Sequence, residues 1–120
     1  MQSSAVPVVL VVENDVLLRL ATACNLRHAG FEVIEAANSA EAIRILDHIP
    51  VEVLFSDVDM PGNMDGLALA QWVHRTRSDT RIILTSDATM TPGDVKEYAS
   101  FLRKPYAEKD VERLVRSVLP

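Results

Sequence analysis

Cysteine is almost absent from this sequence. Among its 120 residues only Cys24 carries a thiol, so no disulfide can form within the chain, which is typical of a reducing, cytoplasmic compartment. The longest uncharged apolar run, from Val6 to Val12, is far too short to cross a bilayer, and the N-terminal residues lack the basic start and apolar core of a signal peptide. We therefore expect a cytoplasmic protein that is not inserted in a membrane.

Positive charge is also scarce. The chain has 12 Lys and Arg residues against 17 Asp and Glu residues, a net charge of −5, and its basic residues form no cluster. Binding to a phosphate backbone needs a basic surface, so we expect no direct contact with nucleic acid. Repeats, linkers and low-complexity tracts are absent as well, and 48% of the residues are apolar. Residues 1–120 are therefore predicted to form a single domain with one core of ordinary size.

Strand-like and helix-like apolar patterns alternate along the chain. Short β-branched runs predict five strands, at residues 8–12, 31–36, 51–56, 81–85 and 101–103. Apolar residues at helical spacing predict the core-facing sides of helices between them. These stripes are Leu17, Leu20, Ala21 and Cys24; Ala42, Ile45, Leu46 and Ile49; Leu69, Trp72 and Val73; and Val111, Leu114, Val115 and Val118.

This alternation predicts an α/β fold in which an open parallel sheet is covered by helices on both faces. One segment, residues 88–99, fits it poorly because Pro92 and Gly93 interrupt the pattern, and we expect a short or displaced helix there. In open α/β sheets, ligands bind at the carboxyl ends of the strands, where the strand order reverses. The residues that follow each strand are therefore the candidates for a functional site.

Polar side chains follow four of the five predicted strands. Clustered carboxylates repel one another unless a cation lies among them, and oxygen ligands of this kind suit Mg²⁺. A lysine and a hydroxyl group beside such a metal would bind phosphoryl oxygens, and an enclosed carboxylate could act as a nucleophile. The residues concerned are Glu13, Asn14 and Asp15; Asp57 and Asp59; Thr85 and Ser86; and Lys104.

Four motifs in this order resemble those of the bacterial response-regulator receiver domain, the phosphoacceptor module of two-component signalling, of which the chemotaxis regulators are examples. They are VLVVEND, LFSDVDMPGNMDG, IILTS and FLRKPY, and the resemblance extends from Val8 to Leu119. It implies a flavodoxin-like, doubly wound sheet of five parallel strands in the order 2-1-3-4-5. This order agrees with the alternation of strands and helices.

The resemblance also assigns roles to individual residues. Asp57 matches the phosphorylated aspartate. The Mg²⁺ ligands would be Glu13, Asn14, Asp57 and the backbone carbonyl of Asp59. Thr85 and Lys104 match the residues that bind the phosphoryl group, and Phe101 matches an aromatic residue that changes rotamer on activation. The peptide bond before Pro105 is usually cis in this family.

The chain departs from the family pattern at Asn14, where an aspartate is usual. Asn keeps an oxygen ligand but lacks the charge, so we expect weaker Mg²⁺ binding, and Asp15 could compensate only if the backbone shifted. Ser86 stands where a smaller residue is usual, and its hydroxyl could slow the access of phosphodonors or bind the phosphoryl group. Simpler roles remain open for two residues, namely helix-start charge for Glu13 and core packing for Phe101.

The function implied by the resemblance is that of a phosphorylation switch. A histidine kinase or a histidine phosphotransfer protein would phosphorylate Asp57 in the presence of Mg²⁺, and the surface near Phe101 and the last helix would change its affinity for a downstream protein target. Such a domain catalyses only its own phosphorylation and dephosphorylation. The chain could be a stand-alone regulator or part of a longer protein.

Two alternatives compete with this interpretation. In a pseudo-receiver, the domain would be an interaction module that works without phosphorylation, and Asn14 is the residue that favours it. The sequence DVDM after an apolar strand also resembles the nucleophile motif of haloacid-dehalogenase-type phosphatases. In those enzymes, however, the chain is usually longer and that motif stands near the N-terminus. Turnover of an external phosphate ester would favour the phosphatase.

Overall fold

The computed structural model describes residues 6–87 and 95–120. These residues form five strands, four α-helices and one short 3₁₀ helix, in the following order along the chain. The elements are β1 (Val8–Val12), α1 (Val16–His28), β2 (Glu32–Ala36), α2 (Ser39–Leu46), β3 (Val53–Asp57), α3 (Gly66–Thr76), β4 (Arg81–Ser86), the 3₁₀ helix (Val95–Glu97), β5 (Ala99–Arg103) and α4 (Glu108–Val118).

All strand pairs are parallel, and the order across the sheet is β2-β1-β3-β4-β5. This confirms the predicted α/β fold and its 2-1-3-4-5 order. The order reverses between β1 and β3, so the crevice at the carboxyl ends of these two strands is where such folds bind ligands. Within the part of the chain that is described, no helix has the length and apolar character that crossing a bilayer requires.

Alternate residues of each strand face opposite layers of helices. Val9 and Val11 of β1 pack in the layer that contains α1 and α4, with Leu26 and Val115 among their neighbours in this core. Leu10 and Val12 pack in the other layer, with residues of α2 and α3. The central strands are buried on both faces, which explains why their sequences are continuous apolar runs rather than alternating ones.

The prediction of the core-facing side of α1 was wrong. Leu17, Leu20, Ala21 and Cys24 are all exposed, and Leu17 retains 79% of its accessible surface. The helix is buried instead through Thr22, Ala23 and Leu26. A threonine and an alanine carry little apolar signal, so the larger side chains on the solvent side dominated the helical pattern. Cys24, predicted to be a buried residue, is an exposed free thiol.

The helix boundaries follow from local capping. Asn38 accepts a hydrogen bond from the amide of Glu41 at 2.9 Å, and Glu41 accepts one from the amide of Ala37 at 2.8 Å, so the two side chains cap the start of α2. α2 ends at Leu46, so Ile49 lies beyond the helix and is exposed, against the prediction that it extends the buried stripe.

The segment that fitted the alternation poorly is only partly described. Val95 to Glu97 form one turn of 3₁₀ helix that leads into β5. The remainder of the predicted displaced helix, residues 88–94 with Pro92 and Gly93, lies outside the described residues. β5 begins at Ala99, two residues before its predicted start at Phe101.

Candidate functional site

The sheet brings the ends of four strands together around Asp57. Asp57, the last residue of β3, is paired with Thr85 of β4. Glu13 directly follows β1, the neighbour of β3 on the other side, and the amide of Lys104, just after β5, donates to the carbonyl oxygen of Ser86 at 3.0 Å. Glu13, Asp57 and Thr85 are 5%, 6% and 1% exposed. Residues that are 91 positions apart in sequence therefore share one enclosed site.

Lys104 connects the two buried carboxylates. Its Nζ donates to Oε1 of Glu13 at 2.9 Å and lies 3.3 Å from Oδ2 of Asp57. Glu13 is held further by the amide of Asp15, which donates to its Oε2 at 3.0 Å. Like charges buried this close together need a cation between them, and the ammonium group provides one. The peptide bond between Lys104 and Pro105 is cis, as the resemblance implied.

The pKa of Asp57 is raised above its ordinary value. Burial is the main cause, since it disfavours the charged carboxylate, and the nearby charge of Glu13 adds to it. Lys104 and the amide of Asp59, which donates to Oδ1 of Asp57 at 3.3 Å, act in the opposite direction. For Lys104, burial works against the charged form, but Glu13 and Asp57 outweigh it and raise the pKa of the ammonium group. The lysine is therefore a fixed positive charge at neutral pH.

Thr85 contributes a hydroxyl group to the site. Its Oγ1 is buried and has no hydrogen-bond partner among the described residues. A buried polar atom without a partner costs free energy, so its retention beside Asp57 indicates a ligand that it can bind. A group attached to Asp57 would lie next to it, because the two residues are paired across neighbouring strands.

Ser86 and Asp59 meet beside the same site. Oγ of Ser86 donates to Oδ2 of Asp59 at 3.3 Å, which joins the end of β4 to the segment after β3. The side-chain carboxylate of Asp59 thus has a hydrogen-bond partner in Ser86. The resemblance assigns the backbone carbonyl of Asp59, and not this side chain, to the metal. Ser86 is itself buried, whereas Asp59 is exposed.

Asn14 and Asp15 occupy different roles after β1. Asp15 is the N-cap of α1, where its Oδ1 accepts a hydrogen bond from the amide of Leu18 at 3.1 Å. Its carboxylate therefore serves the helix and does not replace the charge that is missing at Asn14. Asn14 is exposed and stands between Glu13, which belongs to the buried site, and the start of the helix.

Gly66 is a residue of the site that sequence reasoning missed. It is the first residue of α3, and its amide donates to the carbonyl oxygen of Val58 at 2.8 Å. A Cβ atom here would overlap the carbonyl oxygen of Asp57 and lie 2.7 Å from Cα of Val58. Only glycine lets the helix approach the backbone that carries Asp57 this closely. The motif LFSDVDMPGNMDG ends at this glycine, and that spacing was the available signal.

The donor atoms at this edge fit Mg²⁺ in kind. Carboxylate oxygens of Glu13 and Asp57, the amide oxygen of Asn14 and the backbone carbonyl of Asp59 are hard oxygen ligands, and Mg²⁺ is commonly bound through one or two carboxylates with water and phosphate. The described residues contain no group of three or more His, Cys, Asp and Glu side chains that could hold a metal. The proposed ligand set contains only two such side chains, Glu13 and Asp57. Its other two ligands are an amide oxygen and a backbone carbonyl, which this criterion does not count.

Phe101 lies in β5, paired with Leu84 of β4, and is half-buried against the core layer that contains α2 and α3. It is thus one strand away from Thr85. The structure does not bring it to Asp57, and its contacts are those of a packed aromatic residue.

Comparison with known proteins identifies the class. Residues 9–116 match the response regulator receiver domain family, and the chain belongs to this family. The match covers the strand ends described above. The resemblance drawn from the four motifs is therefore confirmed.

Curated relatives carry the same domain within longer chains. The chain is 36% identical over 118 residues to the C4-dicarboxylate transport transcriptional regulatory protein DctD of Rhizobium meliloti, covering 95% of this chain and 25% of that protein. It is 33% identical over 119 residues to the sensor kinase CckA of Brucella abortus, covering 92% of this chain and 12% of that protein. The chain thus spans a quarter or less of the length of these two relatives.

Solved structures share the fold over nearly the whole chain. The chemotaxis response regulator CheY4 of Vibrio cholerae superposes with a TM-score of 0.85 at 26% identity, covering 96% of this chain and 100% of that chain. The response regulator TrrA of Thermotoga maritima, solved in complex with Mg²⁺-BeF, gives the same TM-score at 23% identity, covering 94% of this chain and 99% of that chain.

Proposed function

We propose that this chain is a Mg²⁺-dependent phosphoacceptor whose nucleophile is Asp57. The observation that carries the proposal is the burial of this carboxylate at 3.3 Å from a lysine. The residue paired with it on β4, Thr85, has a buried hydroxyl without a partner among the described residues. Membership of the receiver family, whose domains act as phosphoacceptor switches in two-component signalling, supports it. The position of Asp57 at the end of a strand buried on both faces fits a presented nucleophile.

The reaction forms one bond and breaks another at phosphorus. An oxygen of Asp57 attacks the phosphoryl group of a phosphohistidine or a small acyl phosphate, and the bond from phosphorus to the donor's nitrogen or oxygen breaks. The leaving imidazole takes a proton from solvent, whereas a carboxylate leaves as the anion. Lys104 and the hydroxyl of Thr85 would bind the phosphoryl oxygens, and Mg²⁺ held by Glu13, Asn14, Asp57 and the carbonyl of Asp59 would supply charge neutralisation.

The domain would act on itself rather than on an external substrate. After transfer, the acyl phosphate on Asp57 is hydrolysed by water, so each cycle returns the starting carboxylate. We therefore propose that it is not a turnover enzyme and that its only catalysis is its own phosphorylation and dephosphorylation. A buried carboxylate that pairs with a lysine suits this use, because the lysine remains available to the phosphoryl oxygens.

A histidine kinase or a histidine phosphotransfer protein is the proposed phosphodonor, in a cytoplasmic setting. The exposed apolar stripe on α1, formed by Val16, Leu17 and Leu20, supports a protein donor because it begins two residues after Asn14. Large apolar side chains exposed together mark surfaces that contact other proteins. The proposal is supported by the similarity of the chain to part of a protein named as a sensor kinase and to part of one named as a transcriptional regulator.

Leu17 tests the contact with the donor. Leu17→Asp puts a charge on the stripe and leaves the buried side of α1 unchanged. The rate of phosphoryl transfer from a phosphorylated cognate kinase domain is therefore expected to fall about tenfold, the loss typical of an interface residue that contributes moderately to binding. Phosphorylation by acetyl phosphate, which needs no protein surface, is expected to be unchanged. Equal loss with both donors would show that the substitution damages the site rather than the docking surface.

The proposed output is a change in affinity for a downstream protein. Phosphorylation would engage Thr85, and the half-buried Phe101 on the adjacent strand would repack, altering the surface around β5 and α4. In energetic terms, the phosphoryl group would shift an existing balance between two conformations. The target would be a protein surface, since the basic residues form no cluster for nucleic acid.

The experiment that tests the proposal is incubation with Mg²⁺ and acetyl phosphate, followed by intact mass measurement. A single phosphoryl adduct is expected on the wild type and on Asp47→Asn, which changes an exposed aspartate at the opposite end of the sheet. No adduct is expected on Asp57→Asn. A wild type that gains no adduct would contradict the proposal and favour a pseudo-receiver. Sustained release of phosphate from an external ester would favour the phosphatase.

A further inference from the structure

Arg19 is a largely buried arginine that no part of the proposed reaction uses. It belongs to α1, but its guanidinium group points back to the end of β1, and its side chain is only 16% exposed. Nη1 donates to the carbonyl oxygen of Glu13 at 2.9 Å, and Nε donates to Oε1 of Glu35 in β2 at 3.2 Å. One side chain thus joins α1, β2 and the residue that carries a proposed Mg²⁺ ligand.

The bond to Glu13 fixes a particular peptide plane. The carbonyl of Glu13 lies beyond Val12, the last residue of β1 that pairs with β3. The carbonyl oxygen of Glu13 and the amide nitrogen of Asn14 belong to the same rigid peptide unit. Arg19 therefore orients the backbone from which both Glu13 and Asn14 depart. The side chain of Glu13 is held separately, by Lys104 and the amide of Asp15.

Glu35 holds Arg19 and balances its charge. Its second oxygen accepts a hydrogen bond from Nη1 of Arg27 at 3.1 Å, and Nη2 of Arg27 donates to the carbonyl oxygen of Val33 at 3.0 Å. Arg27 therefore shares Glu35 with Arg19 but makes no contact with Glu13 among those described. An arginine beside a divalent cation would repel it. The negative charge of Glu35 therefore also reduces the repulsion that Arg19 would exert on Mg²⁺.

We propose that Arg19 is a positioning residue for the Mg²⁺ site, acting through the backbone of Glu13 and Asn14, and that Glu35 holds it in place. The inference rests on the function proposed above and deepens it. Asn14 brings no charge to the metal, so the affinity depends more heavily on how accurately its oxygen is placed. Removing a residue that contacts a metal ligand, but not the metal itself, commonly lowers the metal affinity by about 10- to 100-fold.

The test compares Arg19→Gln with the matched control Arg27→Gln. Mg²⁺ affinity is measured by calorimetry and by the shifts of backbone amides in an NMR titration, and stability is measured by thermal unfolding without Mg²⁺. Arg19→Gln is expected to raise the Kd for Mg²⁺ about tenfold. Phosphorylation by acetyl phosphate should recover at saturating Mg²⁺. Arg27→Gln is expected to lose stability but to leave the Kd unchanged. Arg19→Lys, which retains one charged donor, should fall between Arg19→Gln and the wild type.

The possible outcomes distinguish a failure of this inference from a failure of the proposed function. Wild-type binding of Mg²⁺ with an unchanged Kd for Arg19→Gln would overturn the inference alone. A wild type that binds no Mg²⁺ would overturn the proposed function, and the inference with it. Equal rises in Kd for the Arg19 and Arg27 variants would show a general structural effect and would also overturn the inference. If Arg19→Gln does not fold, Glu35→Gln provides the same comparison, with a smaller rise in Kd expected.

Discussion

The two ends of the β-sheet differ in how their charged side chains are held. At the carboxyl ends of the strands, Glu13 and Asp57 are nearly inaccessible to solvent and face Lys104 at 2.9 and 3.3 Å. At the amino ends, a cleft of about 880 Å³ is lined by the connections that follow α2 and α3. Its ion pair, between Arg77 and Asp47 at 2.7 Å, is 33% and 48% exposed.

The open cleft and the buried carboxylates thus lie at opposite ends of the sheet. The open cleft offers charges that solvent already stabilises, and an exposed ion pair of this kind contributes little. The enclosed end instead holds like charges together and keeps a threonine hydroxyl without a partner among the described residues. Such an arrangement is costly for stability and is useful for binding a charged group.

The largest expected effect comes from removing the cation at the enclosed end. Lys104→Ala is expected to slow phosphorylation of Asp57 by acetyl phosphate about 100-fold, the usual loss when a preorganised charged donor is removed from a reacting centre. Arg77→Ala, the corresponding change at the open end, is expected to leave the rate unaltered. Rates are measured from the growth of the phosphoryl adduct at saturating Mg²⁺. Equal rates for Lys104→Ala and the wild type would remove the lysine from the mechanism.

A smaller effect is expected from restoring the missing charge after β1. Asn14→Asp should lower the Kd for Mg²⁺ about tenfold, because it adds a full charge to a set that has two carboxylates. Without Mg²⁺, the same variant should unfold at a lower temperature, since a third carboxylate joins Glu13 and Asp57. Calorimetric titration and thermal unfolding measure the two effects. Equal affinities for Asn14→Asp and the wild type would contradict the role given to Asn14.

The smallest effect is on stability and depends on pH. The pKa of Asp57 is raised by burial, so the native state binds this proton more tightly than the unfolded chain, whose value is near 3.8. Stability from this carboxyl group therefore falls as the pH rises through that value and stays low above the native pKa. Asp57→Asn should thus be more stable than the wild type at neutral pH, with the difference shrinking in acid.

Thermal unfolding of both proteins without Mg²⁺, at neutral pH and near the unfolded-chain value, checks this expectation. The control is Asp47→Asn at the open end, where no gain in stability is expected because the carboxylate is exposed and paired. A less stable Asp57→Asn at neutral pH would mean that the ion pair with Lys104 outweighs the cost of burial.

The sequence predicted the enclosed end well because its residues follow strands with strong signals. Continuous β-branched runs place β1 and β3, and the carboxyl ends of parallel strands must meet at one edge. The strand pattern alone therefore predicts that four residues lie close together, namely Glu13, Asp57, Thr85 and Lys104. Their distances, and the sharing of Lys104 by two carboxylates, depend on side-chain packing that no local pattern encodes.

Other features could not be predicted, for reasons particular to each. The buried side of α1 consists of Thr22, Ala23 and Leu26, while larger apolar residues face solvent, so periodicity pointed to the wrong side. Gly66 matters because of what lies against it in space, the backbone of Asp57, and not because of its neighbours in sequence. Nothing in the sequence distinguishes Arg19 from a surface arginine, because its role depends on a contact with the carbonyl oxygen of Glu13 that only the structure shows.

The most direct test of the central claim is an NMR map of the whole domain with Mg²⁺ and beryllofluoride, a mimic of the phosphoryl group. The account predicts saturable shifts that require Mg²⁺ and are largest at the amides of Asp57, Thr85 and Lys104. The amides of Asp47 and Arg77, at the open end, should move little. Absence of shifts, or equal shifts at the two ends of the sheet, would contradict the claim that the enclosed end is the phosphoacceptor site.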